Sequence, residues 1–235
     1  MIFAAILAGG SGVRMGACGK PKQFLTLGGK PVIAHTVERF CESPDFEKIL
    51  VLCPHDWTEH TKDIMSKHIK DSRVRVIRGG GSRNGTLLAA VEHIESNYNV
   101  TPDDIILTHD AVRPFVTRRI IDDNIKYTLK YGACDTAIPA TDTIVESGDG
   151  MLIDNIPERS RMYHGQTPQS FNIKELARTV RSLTPEEEAL LTDACKIYTI
   201  KGLPVYIVRG EETNIKITFP SDLKVAEALL NERDC

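Results

Sequence analysis

Apolar runs alternate with helix-period segments along most of the chain, and this order constrains the fold more than any other feature. Ile2–Leu7, Lys48–Cys53, Val74–Ile77, Ile105–His109 and Asp135–Ala140 read as strands. Between them Val32–Cys41, Trp57–Ile69, Arg83–Ser96 and Thr117–Lys130 carry apolar residues at helical spacing. Strands that are apolar along their whole length need cover on both faces, and an intervening helix returns the chain for parallel pairing. In sheets of this kind, ligands bind beyond the carboxyl ends of the strands.

The alternation breaks between 141 and 163. Asp142–Ser147, a Gly148-Asp149-Gly150 turn and Met151–Ile156 read as a β-hairpin of modest hydrophobicity. A hairpin without a neighbour is only marginally stable, so it needs something to pack against, and another subunit would serve. Beyond it come a strand at Gln166–Phe171, helical material from Asn172 to Ile200, strands at Val205–Val208 and Ile215–Thr218, and a final helix at Pro220–Asn231. No repeat or linker divides residues 1–235. The expected architecture is a single α/β domain: a Rossmann-like, mostly parallel sheet with helices on both faces and a protruding β-hairpin arm at about 141–163.

Composition sets the class of ligand. Apolar and charged fractions of 41% and 26% are those of an ordinary globular protein. A net charge of −3 and 6% aromatics give neither a field nor stacking platforms for nucleic acid, so an anionic ligand must be held by local cations. No stretch approaches the ~18 apolar residues of a membrane span. The apolar start at Met1–Ala8 lacks a basic flank and runs straight into a glycine loop, unlike a secretory signal. Six scattered cysteines without a C-x-x-C pair suit reduced thiols, and the expected location is cytoplasmic.

The chemistry begins after the first strand, at Gly9-Gly10-Ser11-Gly12-Val13-Arg14-Met15-Gly16 and then Pro21-Lys22. Glycines let backbone N–H groups approach phosphate oxygens, and Arg14 and Lys22 add the fixed charge a triphosphate requires. Look-alikes fail on single positions. Met15 stands where a dinucleotide fingerprint needs its third glycine, and Pro21 follows Gly19-Lys20 where a P-loop needs Ser or Thr. What remains is a nucleotidyltransferase pattern.

Asp110 ends a buried strand, where a carboxylate can hold Mg²⁺ or a substrate hydroxyl, and Arg113 can bind phosphate bidentately. The competing reading is that Asp110 caps a turn and Arg113 pairs with it. Gly79-Gly80-Gly81-Ser82-Arg83-Asn84-Gly85-Thr86 is a second glycine turn into a helix, able to read a base or ribose, although Ser82 is also a good N-cap. Lys216, between Ile215 and Ile217, faces solvent or a site on alternation alone.

These motifs, with Thr167-Pro168-Gln169 and Asn214-Ile215-Lys216, resemble the cytidylyltransferases that activate polyol phosphates, over residues 1 to about 230. The resemblance implies transfer of CMP from CTP, with Mg²⁺, to D-ribitol 5-phosphate (for teichoic-acid-type polymers) or to 2-C-methyl-D-erythritol 4-phosphate (for isoprenoids). Gly165–Phe171, Leu191–Ile197 and Arg113-Pro114-Phe115 resemble the ribitol phosphate branch, whereas Ala111 departs from the serine common there. By the same resemblance Arg14, Lys22 and Lys216 are catalytic. Leu7, Ala8, Gly9, Gly10, Gly12, Gly80, Arg83, Thr86, Asp110 and Ala111 bind the nucleotide. Asp110, Arg113, Thr143, Arg159 and Thr167 bind the acceptor, with Thr143 and Arg159 reaching it from the partner subunit of a homodimer. Molybdopterin guanylyltransferases and hexose-1-phosphate nucleotidylyltransferases use related loops but not these Thr-Pro-Gln and Asn-Ile-Lys motifs. A non-catalytic nucleotide-binding module would need no cation at the α-phosphate.

Overall fold

Strand β1 (Ile2–Leu7) lies in the middle of the sheet, and its side chains feed both layers of the core. The computed structural model describes residues 1–10, 20–191 and 193–233. A two-stranded antiparallel turn, β2 (Thr26–Leu27) with β3 (Lys30–Pro31), leads into α1 (Val32–Cys41). There follow β4 (Lys48–Cys53), α2 (Thr58–His68), β5 (Val74–Arg78), α3 (Arg83–Asn97), β6 (Ile105–Asp110) and α4 (Arg118–Tyr131). The second half holds β7 (Ala133–Pro139), β8 (Tyr163–Asn172), α5 (Ile173–Arg181), α6 (Pro185–Ala189), α7 (Ala194–Ile200), β9 (Tyr206–Arg209) and α8 (Pro220–Arg233).

The seven-stranded sheet has the order β5-β4-β1-β6-β8-β7-β9. β5, β4, β1 and β6 are parallel, as the continuous apolar runs require. β8 runs antiparallel to both β6 and β7, while β9 joins β7 in parallel. Alternate residues serve opposite faces. Ala4, Ile6, Val51 and Leu107 pack with Ile33, Val37 and Phe40 of α1, while Phe3, Ala5, Leu50 and Ile106 pack with Leu87 and Val91 of α3. Burying one such Leu, Ile or Phe side chain is worth about 1.5–3 kcal/mol. No helix among the described residues is long and apolar enough to cross a membrane.

Two expected elements differ. Ile215–Thr218 is irregular rather than a strand, held by a bond from the Ile217 N–H to the Val112 carbonyl at 2.9 Å. Ile217 is fully buried with Leu27, Val32, Val112 and Leu230, a third cluster that fastens this segment to the turn after β6. The arm turns back on itself, but with one antiparallel bridge, Glu146 to Asn155, in place of a hairpin ladder. Side chains have taken over its turn: Asp149 accepts from the Met151 and Leu152 N–H groups at 2.8 and 2.9 Å, and Asp154 accepts from Gly148 at 2.6 Å. Such local bonds compete with ladder bonds for the same backbone groups.

Candidate active site

Beyond the carboxyl ends of β1 and β6 lies a cavity of about 340 Å³. Leu7, Ala8, Gly9, Gly10, Lys22, Gly80, Arg83, Thr86, Asp110, Ala111 and Lys216, expected from sequence, all line it. Gly12 and Arg14 fall outside the described residues.

The walls are glycine for steric reasons. A Cβ on Gly80 would meet the Gly85 carbonyl carbon at 2.3 Å, so only glycine lets the turn fold against the start of α3. Ser82 proves to be the N-cap, its Oγ accepting from the Gly85 N–H at 3.0 Å. On the opposite wall the Gln23 Nε2 donates to the Ala8 carbonyl at 2.7 Å and to that of Gly10 at 3.3 Å. Gln23 thereby ties the first glycine loop to the short 3-10 turn that carries Lys22.

Three cations converge on one carboxylate. The Arg83 Nη1 lies 2.5 Å from Asp110 Oδ1, the Lys216 Nζ 2.8 Å from Oδ2, and the Arg113 Nε 3.6 Å from the same oxygen. Burial works to raise the Asp110 pKa, but Arg83, Lys216 and Arg113 overcome it and hold the carboxyl well below its ordinary range. Asp110 is thus ionised throughout the physiological range, and its group carries a surplus of positive charge facing the cavity. Lys216 reaches in because its neighbours Ile215 and Ile217 are claimed by the third cluster, which settles the ambiguity left by alternation.

Of the residues expected to bind the acceptor, Asp110 lines the cavity, whereas Arg113, Thr167, Thr143 and Arg159 do not. Arg113 is buried and bonded within the protein: Nη1 donates to the Asn214 carbonyl at 2.7 Å and Nη2 to that of Gly165 at 3.4 Å. Thr167 is 3% exposed, and its hydroxyl is occupied within the protein. Its Oγ1 accepts from the Asp110 N–H at 3.2 Å and lies 2.9 Å from the His109 Nδ1. The His109 Nε2 lies 3.1 Å from the Arg113 carbonyl, so it carries the proton, leaving Nδ1 to accept from the threonine. Burial pushes the His109 pKa down to about 4, which keeps the ring neutral. Thr143 and Arg159 are exposed on the arm and line no part of the cavity of their own chain.

Sequence reasoning passed over Gln23, His109 and Asn214 as individual residues. Nothing local marks them, because Gln23 and Asn214 act on backbone from elsewhere in the chain and His109 meets a side chain 58 residues away. Asn214, for example, donates from Nδ2 to the Thr167 carbonyl at 2.9 Å.

Both Asp110 oxygens are engaged by cations, Arg83 at Oδ1 and Lys216 with Arg113 at Oδ2, so a magnesium ion at this carboxylate would have to take the place of one of them.

Residues 2–232 match the family model described as IspD, 2-C-methyl-D-erythritol 4-phosphate cytidylyltransferase. A Lactiplantibacillus plantarum protein named ribitol-5-phosphate cytidylyltransferase is 52% identical over 233 residues, spanning 99% of this chain and 100% of its own length. The structure of 4-diphosphocytidyl-2C-methyl-D-erythritol synthase from Anaerococcus prevotii superposes with a TM-score of 0.81 at 28% identity, over 98% of this chain and 96% of that one. The Francisella tularensis 2-C-methyl-D-erythritol 4-phosphate cytidylyltransferase gives 0.80 at 25%, over 97% and 98%.

Proposed function

Since the chain belongs to the IspD family and is a CTP-dependent cytidylyltransferase, we propose that its acceptor is D-ribitol 5-phosphate and its products CDP-ribitol and pyrophosphate. The full-length relative at 52% identity supports this acceptor over methylerythritol 4-phosphate. The observation that carries the chemistry is the Asp110 carboxylate with three cations at the wall of a glycine-lined cavity.

An acceptor phosphate oxygen attacks the α-phosphorus of CTP, the bond to the bridging oxygen breaks, and pyrophosphate leaves. Little covalent work falls to the protein, so catalysis is positioning and charge stabilisation. Lys22, with Arg14, holds the triphosphate and meets the charge left on pyrophosphate. Lys216 is the most exposed of the three cations, at 37% against 30% for Arg83 and 9% for Arg113. It is therefore the one that turns from Asp110 to the α-phosphate, while the arginines keep Asp110 ionised. Magnesium accompanies the CTP phosphates in this proposal, with no ligand assigned in the protein.

The arm exposes Met151 at 83%, Leu152 at 70% and Ile153 at 61%, an apolar tip that suits a second copy of the chain. In the resulting homodimer, Thr143 and Arg159 reach the partner's acceptor site. A fully active monomer in sedimentation would remove that role. We place the enzyme in the cytoplasm, supplying a teichoic-acid-type polymer. The decisive experiment is pyrophosphate release from CTP with ribitol 5-phosphate and methylerythritol 4-phosphate side by side. Preference for the second would overturn the acceptor assignment.

A further inference from the structure

Beside the Asp110 group, on the side away from the nucleotide cavity, the sheet carries a second polar row. Thr108 of β6, Gln169 of β8 and Asp135 of β7 are in register across three strands. Side chains two residues apart share a face, so Asp135 stands on the same face as Asp110, displaced by two strand spacings across and two residues along, about 12 Å in all. Arg113 lies between them: its Nε is 3.6 Å from Asp110 Oδ2, its Nη2 donates to the Gly165 carbonyl at 3.4 Å, and its charge also acts on Asp135.

Asp135 is half-buried, and the Gln169 Nε2 donates to its Oδ1 at 3.1 Å. The other end of that amide is unmatched: Gln169 is 2% exposed, and its Oε1 has no hydrogen-bond partner among the described residues. On the protein side Asp135 meets the Gln169 amide and the Cys195 thiol, with the Arg113 charge further off, and its exposed part is open to a further donor. The nearby Asp193, cap of α7, adds a further acceptor rather than a donor. Burial raises the Asp135 pKa to about 6 against the opposing Gln169 bond, so at neutral pH the carboxylate is charged and poorly hydrated. A donor supplied by a ligand gains most in such surroundings.

We infer that Asp135, oriented by the Gln169 amide, accepts hydrogen bonds from the hydroxyls of the acceptor's carbon chain and so selects a polyhydroxylated acceptor over a methyl-branched one. The inference rests on the acceptor proposed above. It names a specificity residue on a strand that contributes nothing to the nucleotide cavity.

The test compares wild type, Asp135→Asn and Asp135→Leu in kcat and KM with ribitol 5-phosphate and methylerythritol 4-phosphate, together with the KM for CTP. Asp135→Leu should lose about 10- to 100-fold in kcat/KM for ribitol 5-phosphate, almost all of it in KM. The value for methylerythritol 4-phosphate should move by less than about threefold, and the CTP constant should hold. If the leucine variant fails to fold, the near-isosteric asparagine must still shift the ratio of the two acceptors. An unchanged ratio, or an equal loss with both acceptors and CTP, overturns the subsite and leaves the acceptor assignment standing. A wild-type preference for methylerythritol 4-phosphate overturns the acceptor assignment and the subsite with it.

Discussion

Replacing Thr167 by valine separates two roles that look alike from sequence. The substitution preserves shape but deletes a hydroxyl that accepts from the Asp110 N–H at 3.2 Å and faces the His109 Nδ1 at 2.9 Å. Both abandoned groups are buried, Asp110 at 5% exposure and His109 at 0%. An unmatched buried polar group costs about 1–3 kcal/mol, so Thr167→Val should destabilise the fold by roughly 2–6 kcal/mol. In a domain of this size that corresponds to a melting shift of about 4–24 °C. Turnover should fall by roughly 10-fold or more, because Asp110 loses the backbone bond that seats it under Lys216 and Arg83. Thr167→Ser keeps the hydroxyl and should cost only about 1 kcal/mol for the lost methyl. Thermal melts alongside kcat and acceptor KM read both quantities. If Thr167 instead touches the acceptor directly, valine raises the acceptor KM with the melt within about 1 °C of wild type, and the clamp is refuted.

Three further predictions follow from the same site. Lys216→Ala and Lys22→Ala should each lower turnover by roughly 10²-fold, the scale of losing one transition-state donor; near-normal turnover in a folded Lys216→Ala protein would sink its assigned role. Gly80→Ala places a Cβ 2.3 Å from the Gly85 carbonyl carbon and should raise the CTP KM, so an unaltered CTP constant in that variant would contradict the cavity wall described above. His109 is neutral when folded, with a pKa of about 4 against 6.5 as its ordinary value. Its contribution to stability is therefore fully present above pH 6.5 and drains away as pH falls toward 4, by about 3 kcal/mol in all. His109→Gln should be less stable at pH 7 but lose less on acidification; parallel stability curves from pH 7 to 4 would count against this.

Much of the fold was legible because local pattern and tertiary role coincide. Val32–Cys41 and Lys48–Cys53 have the bounds expected from their periodicity, since one buries a single stripe and the other both faces. β8 is the instructive failure. The run Gln166–Phe171 reads as a strand in either direction, and its antiparallel insertion between β6 and β7 depends on which edge remains open when the chain returns from the arm. Ile215–Thr218 reads as a strand by alternation, yet its isoleucines alternate because one helix and one turn claim them, with no neighbouring strand to pair with. The arm keeps one bridge, and the rest of its ladder is replaced by side-chain bonds that no period reports.

The sequence by itself determined the layered α/β sheet, the glycine walls of the cavity and the cations that a triphosphate needs. These depend on residue type and short-range spacing: a continuous apolar run, a glycine before a helix, a lysine in a polar turn. Only the tertiary structure decided that Asp110 gathers Arg83, Arg113 and Lys216, from positions 27 residues before it, three after it and more than a hundred further on. It alone decided that Thr167 and His109 brace that carboxylate, and that Asp135 looks onto the same face from two strands away. Register and strand order set those neighbours, and the contacts that fix both lie far apart along the chain.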